Sequence, residues 1–331
     1  MGERPWRVAT RRSALAQAQA RTVADALQAA TDRPAELVPL ATTGDDHPDR
    51  AIEAFDVKGM FVDATRQAVL AGDCDLVVHS YTDLPTESAA GLTIGAVPAR
   101  VDPRDVLVTR EGWRLATIPR DRPFAIGTSS PRRASQIRRH RRDLLVQPLR
   151  GNLGTRLGKV ASGELDGVVV ALAGLLRLRP EVDGLVAVPL EHGEILHAPA
   201  QGALAIECRD DDQVTLRALA AIDHEVTRTE VAAERELLRQ LQGGCTAPIG
   251  AHAETRVTAA GERRLVLLGL LADPSGTRLY RASHETGIDE PVLLGRTMAA
   301  SLLEAGGDAV LEQLRAPAGQ EAAGRDGGPS R

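Results

Sequence analysis

With 331 residues, 43% of them apolar and only 2% aromatic, the chain can build two or three domains whose cores must be aliphatic. A net charge of −5 and the scarcity of aromatics exclude a nucleic-acid binder that relies on a global basic field or on base stacking. Cys74, Cys208 and Cys245 are too few for a disulfide framework and point to a reducing, cytoplasmic setting. No apolar run reaches the roughly eighteen residues of a membrane span, and the N-terminus lacks a signal-peptide core. No cysteine–histidine spacing indicates a zinc site, so no metal is expected.

Taken in order, Arg7–Thr10 reads as a strand and Arg11-Arg12-Ser13 as the turn after it. Ser13 caps a helix expected over 14–29. A strand, a polar turn and a helix start together gather anions, so Arg11 and Ser13 are placed to hold a carboxylate. A solvated surface arginine is the alternative. A second strand is expected over 35–41, a long polar loop over 42–59 and a helix over 61–70. Leu76–His79 reads as a buried strand, and the alternation predicts a mainly parallel sheet. His79-Ser-Tyr-Thr-Asp-Leu-Pro85 follows at its carboxyl end, where ligands of open α/β sheets collect. Asp83 there suits proton transfer or stabilisation of a cation; a plain turn aspartate is the alternative.

Arg100–Asp105 reads as a polar link between domains. Strands are expected at 106–108 and 124–127. The second leads into Thr128-Ser-Ser-Pro-Arg-Arg133, a second and stronger strand–turn–helix anion signal. Arg138, Arg139, Arg141 and Arg142 read as a solvated face. After a strand at 144–146 come Leu149-Arg-Gly-Asn152 and Arg156; after another at 167–170 comes a helix with Arg177. Arginines thus recur at strand ends, where their forked guanidinium pairs with carboxylates. Gln201-Gly202 precedes a strand at 203–208, a return to the first domain. Helices are expected at 213–222 and 224–241. Gln242-Gly-Gly-Cys-Thr-Ala-Pro248 then displays Cys245 on a tight loop, as nucleophile, covalent anchor or simply a small buried residue. Three short strands (249–253, 265–271, 279–282) and helices at 291–305 and 308–314 follow, and 316–331 reads as a disordered tail.

Together Val8-Ala-Thr-Arg-Arg-Ser13, His79–Pro85, Gly127–Arg133, Leu149–Asn152 with Thr155-Arg156, Gln201-Gly202 and Gly243-Gly-Cys245 resemble the porphobilinogen deaminase (hydroxymethylbilane synthase) family over about residues 6 to 314. The resemblance implies two periplasmic-binding-protein-like α/β domains around a cleft and a smaller α+β C-terminal domain. The expected boundaries are 1–100 with 202–220, 106–197 and 224–315. It also implies a dipyrromethane cofactor bound through a thioether to Cys245. Four porphobilinogen molecules are added to it through an electrophilic azafulvene, with loss of ammonia, and hydroxymethylbilane is released by water. On the same basis Asp83 is the catalytic acid, expected as a buried carboxylate. Ser13, Lys58, Thr128, Ser129, Arg132, Arg133, Gly151 and Gln201 join Cys245 in holding the cofactor, and Arg11, Arg150, Arg156 and Arg177 bind substrate. A monomer is expected, without nucleic-acid or membrane partners. Thr82 stands where the family commonly has lysine, and Val62-Asp-Ala-Thr-Arg66 departs from its usual lysine-and-glutamate pattern. A weakened deaminase and a two-lobed carboxylate receptor are the alternatives.

Overall fold

The computed structural model describes residues 4–41, 57–180, 183–242 and 247–315. The cysteine loop with Cys245, most of the polar stretch after residue 41, the side chain of Lys58 and the tail from 316 lie outside the described residues.

The chain first builds β1 (Trp6–Arg11), α1 (Ala14–Thr31), β2 (Ala35–Leu40), α2 (Val57–Leu70), β3 (Leu76–Ser80) and β4 (Leu92–Ala96). Ser13 caps α1 by accepting from the Ala16 amide at 3.3 Å. The apolar stripe Ala20, Val23, Ala24 and Leu27 of α1 packs on Val8, Leu76 and Val78 of the sheet. The chain then crosses into β5 (Asp105–Thr109), β6 (Ala125–Gly127), α3 (Pro131–His140), β7 (Leu145–Gln147), α4 (Leu153–Ala161), β8 (Gly167–Ala171), α5 (Leu172–Leu178) and β9 (Val186–Pro189). It returns as β10 (Leu204–Arg209) and α6 (Gln213–Ala220).

The two sheets run β2-β1-β3-β10-β4 and β7-β6-β8-β5-β9. Each has three parallel strands, then a strand that enters antiparallel from the other side of the crossover, then an edge strand paired to that one. The lobes are therefore two copies of one plan, each completed by a strand from across the link. This is the two-lobed arrangement expected from the sequence, with the correction that the sheets are mixed. The edge strands β4 and β9 were not expected. Both are short, β4 contains Gly95 and β9 ends on Pro189, and such edges carry little period-two signal.

A third unit follows: α7 (Glu225–Gln240), the antiparallel sheet β11 (Ile249–Val257), β12 (Arg263–Ala272) and β13 (Leu279–Gly287), α8 (Pro291–Leu302) and α9 (Asp308–Arg315). Leu237, Leu241, Leu265, Leu267, Met298 and Leu302 form its aliphatic core. α7 ends at Gln240, and the left-handed residue after it is Gln242 (φ 46°), one place before the glycines expected to supply that conformation.

The arginine run on α3 is not a uniformly solvated face. Arg141 is buried, donating to the Leu115 and Ile118 carbonyls and pairing with Asp143 at 2.7 Å. Arg138 reaches the Pro274 carbonyl of the third unit at 2.8 Å.

Candidate active site

The polar link expected at Arg100–Asp105 joins the lobes through a buried hydrogen-bonded assembly. Asp105 opens β5 and is fully buried. Its Oδ2 accepts from Arg132 Nη1 at 2.7 Å, and its Oδ1 accepts from Arg133 Nε at 3.0 Å and Gln201 Nε2 at 2.9 Å. Burial alone would raise its pKa, but the charges and hydrogen bonds of Arg132 and Arg133 outweigh it and hold the group at about 2. The neighbouring link residue Arg100 grips Glu234 of α7 in a bidentate pair at 2.8 and 2.9 Å. Glu234 also accepts from the Ala200 and Ala253 amides, so one buried carboxylate joins both crossover segments to the third unit. Gly202 has φ +85°, and a Cβ there would lie 2.6 Å from the Val101 carbonyl; only glycine lets the two crossover segments touch.

Between the lobes lies a cavity of about 290 Å³. The first lobe lines it with Arg11 and Ser13 from the β1–α1 turn and with His79, Ser80, Thr82 and Asp83 from the end of β3. The second lobe supplies Arg133 and Arg177, and the crossover supplies Gln201 and Gly202. Strand ends and helix starts converge here because each lobe turns the same carboxyl edge of its sheet toward the other.

Asp83 ends a single 3-10 turn, Tyr81–Asp83, and is exposed to the cleft, contrary to the buried carboxylate expected. The Thr82 hydroxyl donates to Asp83 Oδ1 at 3.4 Å and lies 3.2 Å from Ser80 Oγ. Arg235 of α7 holds this turn from behind. It donates to the Tyr81 and Leu84 carbonyls at 3.2 Å each and to that of Pro85, with its guanidinium 4.5 Å from the Tyr81 ring centre. Behind His79, Glu207 on β10 accepts from His79 Nε2 at 3.1 Å and from Arg66 in a bidentate pair at 2.7 Å.

Glu207 is buried; that burial would raise its pKa, but the hydrogen bonds from His79 and Arg66 bring it down from 4.5 to about 2. A folded pKa below the unfolded one gives stability that is present above the unfolded value and lost as pH falls through the folded one. The shift corresponds to roughly 3 kcal/mol. Glu207→Gln should therefore flatten the acid limb of the stability curve by about that amount between about pH 5 and pH 2. Urea unfolding across this range checks it, and an unchanged acid limb would contradict it.

Of the expected arginines, Arg177 donates to the Gly202 carbonyl at 2.8 Å, and burial pushes its pKa down to about 10. Arg156 donates to the Gly151 carbonyl at 2.8 Å; burial and then the charge of Arg133 depress its pKa. Among the described residues neither Arg156 nor Arg177 has a carboxylate partner. Arg177 lines the cavity and Arg156 does not; a half-buried guanidinium without an acid on the cavity wall favours an anionic ligand. Arg150 is exposed on the turn before α4, and Gly151 there has φ +101°.

Four expected cofactor contacts, Thr128, Ser129, Arg132 and Gly151, are not on the cavity wall, nor are the expected substrate residues Arg150 and Arg156. Arg132 is buried, its guanidinium directed to Asp105, the Leu196 carbonyl and Gln201, so its part is to brace the link. Thr128 Oγ1 accepts from the Ser130 amide at 3.2 Å, and Ser129 Oγ is hydrogen-bonded to both the amide and the carbonyl of Leu149. These hydroxyls shape the turns that carry Arg133 and Arg150. Sequence reasoning missed Asp105, Glu207, Glu234 and Arg235. The signal for Glu207 was a charge inside an otherwise apolar strand, whereas Glu234 sits among other charges of its helix and had none.

The family model described as porphobilinogen deaminase, dipyromethane cofactor binding domain, matches residues 6–217, and the porphobilinogen deaminase C-terminal domain matches residues 228–304. The chain belongs to the porphobilinogen deaminase family. The porphobilinogen deaminase of Nocardia farcinica is 45% identical over 316 residues, covering 94% of this chain and 89% of that protein. That of Mycobacterium bovis is 46% identical over 304 residues, covering 91% and 96%. Porphobilinogen deaminase 1 of Streptomyces coelicolor is 41% identical over 316 residues, covering 92% and 97%. Among solved structures, an arginine-specific periplasmic binding protein of Salmonella typhimurium is 13% identical, covering 68% of this chain and 94% of that one, with a TM-score of 0.38. As a porphobilinogen deaminase family member, the chain carries its cofactor-binding domain in the two lobes and its C-terminal domain in the third unit. No described helix is long and apolar enough to cross a membrane.

Proposed function

We propose that this chain is a porphobilinogen deaminase, joining four porphobilinogen molecules head to tail onto a dipyrromethane held by Cys245, with release of ammonia and then of hydroxymethylbilane. The observation that carries the reading is the inter-lobe cavity, to which Arg11, Arg133 and Arg177 contribute guanidiniums beside the exposed carboxylate of Asp83. Dipyrromethane bears several carboxylates, and this donor set suits it: forked cations for the acids, the Ser13 hydroxyl, and no competing carboxylate on Arg177. When bound, the group supplies the pyrrole carbon to which substrate is joined.

The chain's own residues do the rest. Arg11, Arg133 and Arg177 bind and orient acetate and propionate groups, with Arg150 and Arg156 extending the basic lining along the second lobe. Asp83 gives a proton to the departing amine and takes one from the pyrrole carbon after coupling, while its negative charge steadies the cationic substrate. Its exposure to the cleft allows the same carboxylate to be used in each round. Thr82 keeps the turn polar through its hydroxyl, and the guanidiniums of Arg133 and Arg177 supply the positive charge that a lysine there would add. Tethering through Cys245 keeps the growing chain from diffusing away. The domain boundaries proposed are 1–100 with 202–220, 106–197 and 224–315, and the protein is proposed to act as a cytoplasmic monomer without nucleic-acid partners.

The test is porphobilinogen consumption with matched ammonia release, read in the wild type and in Arg177→Gln. A half-buried charge-assisted contact is worth enough that this variant should raise KM roughly 10- to 100-fold. No turnover in wild type would contradict the function, and an unchanged KM would remove Arg177 from the binding set.

A further inference from the structure

Away from the cleft, the fold gathers His192, His197 and His252 at the junction of the second crossover with β11. One ligating nitrogen from each lies within 4.8 Å of the others. His197 is fully buried, and its Nδ1 is 2.9 Å from the Ala198 carbonyl. A carbonyl only accepts, so Nδ1 carries the proton and Nε2 turns its lone pair toward His252 Nδ1, 3.0 Å away. A ring nitrogen fixed by a backbone carbonyl while the other faces a ligand position is the usual support of a metal-binding histidine. His192 stacks on His252 with ring centres 3.8 Å apart, and its Nδ1 is buried with no hydrogen-bond partner.

We propose that His192, His197 and His252 form a three-imidazole site for a first-row divalent cation, Zn²⁺ or a close relative, that pins the C-terminal domain to the second crossover. Metal–nitrogen bonds of about 2.0–2.1 Å in a tetrahedron set the nitrogens roughly 3.3 Å apart, close to the His197–His252 separation. With His197 Nε2 accepting, His252 Nδ1 is the donor between them, so binding moves that proton to His252 Nε2 and replaces the hydrogen bond with the ion. It also needs a rotation of the stacked His192 ring, whose Nδ1 gives up no hydrogen bond in moving. Neutral nitrogen donors select such ions over Mg²⁺ or Ca²⁺. Burial, with His252 and Arg100 next, keeps His192 and His252 down at about 4, which is the ligating form at neutral pH. The nearby cations are already paired, Arg100 with Glu234 and Arg104 with Asp102 and Glu191. His252 also lines a surface groove of about 300 Å³, which leaves a fourth position for water.

The experiment uses tag-free holoenzyme stripped with chelator, titrated with Zn²⁺ by calorimetry and with Co²⁺ by visible absorption. The expected result is one ion per chain, intense tetrahedral cobalt bands and a raised thermal midpoint with Zn²⁺. His192→Asn removes a nitrogen that holds no hydrogen bond, so the chelated variant should melt as wild type does, with metal affinity lowered more than about tenfold. His252→Asn should lower metal affinity likewise; because it also removes the hydrogen bond to buried His197, its fold is checked by circular dichroism and its affinity, not its melting, is compared with wild type. Absence of stoichiometric binding in wild type overturns the site, as does binding that survives His192→Asn at wild-type affinity.

Discussion

Asp83→Ala is expected to lower kcat for porphobilinogen by about 10²- to 10⁴-fold, the usual worth of a positioned proton donor. Thermal stability should stay within about 0.5 kcal/mol of wild type, because the side chain is exposed and, among the described residues, its side-chain hydrogen bond is a 3.4 Å one from Thr82. Loss of turnover with the fold intact separates a chemical role from a structural one. Asp83→Asn should behave alike, since an amide cannot shuttle the proton. Near-normal turnover in both would remove Asp83 from the mechanism and leave the arginines as a binding surface only.

The second large effect is on stability. Asp105→Asn keeps the shape but leaves Arg132 and Arg133 facing a neutral group in a fully buried setting. Removing one partner from a buried ion pair costs about 3–5 kcal/mol, because the remaining charge is left uncompensated. The urea midpoint should fall accordingly. Activity should fall with it, since Arg133 lines the cavity and Gln201, also held by Asp105, lies between the lobes. A destabilisation below about 1 kcal/mol would mean that the guanidiniums are satisfied by the Leu196 and Val169 carbonyls alone.

The elements that position the cleft were legible because they are built from short-range signals. Ser13 and Ser130 announce helix starts as caps, and each follows an apolar strand, so the arginines around them were placed at strand ends before any tertiary contact was known. What the sequence hid depends on long-range pairing. Asp105 looks like a link residue until Arg132 and Arg133, 27 and 28 positions away, fold back onto it. Glu207 sits in a strand that reads as core, and only the approach of Arg66 and His79 explains its charge. Arg235 is one charge among many on a surface-patterned helix, and its hold on the Tyr81–Pro85 turn joins residues 150 to 154 positions apart. The histidine cluster was hidden because His252 lies 55 positions beyond His197, and the pair His192 and His197 alone does not mark a metal site.

The proposed chemistry requires a primer held covalently by Cys245, and the intact mass of the purified protein tests it most directly. Wild-type protein made with porphobilinogen available should weigh more than its sequence by two pyrrole units, and Cys245→Ser should lose that increment. A wild-type mass equal to that of the bare chain, or an increment that persists in Cys245→Ser, would contradict it.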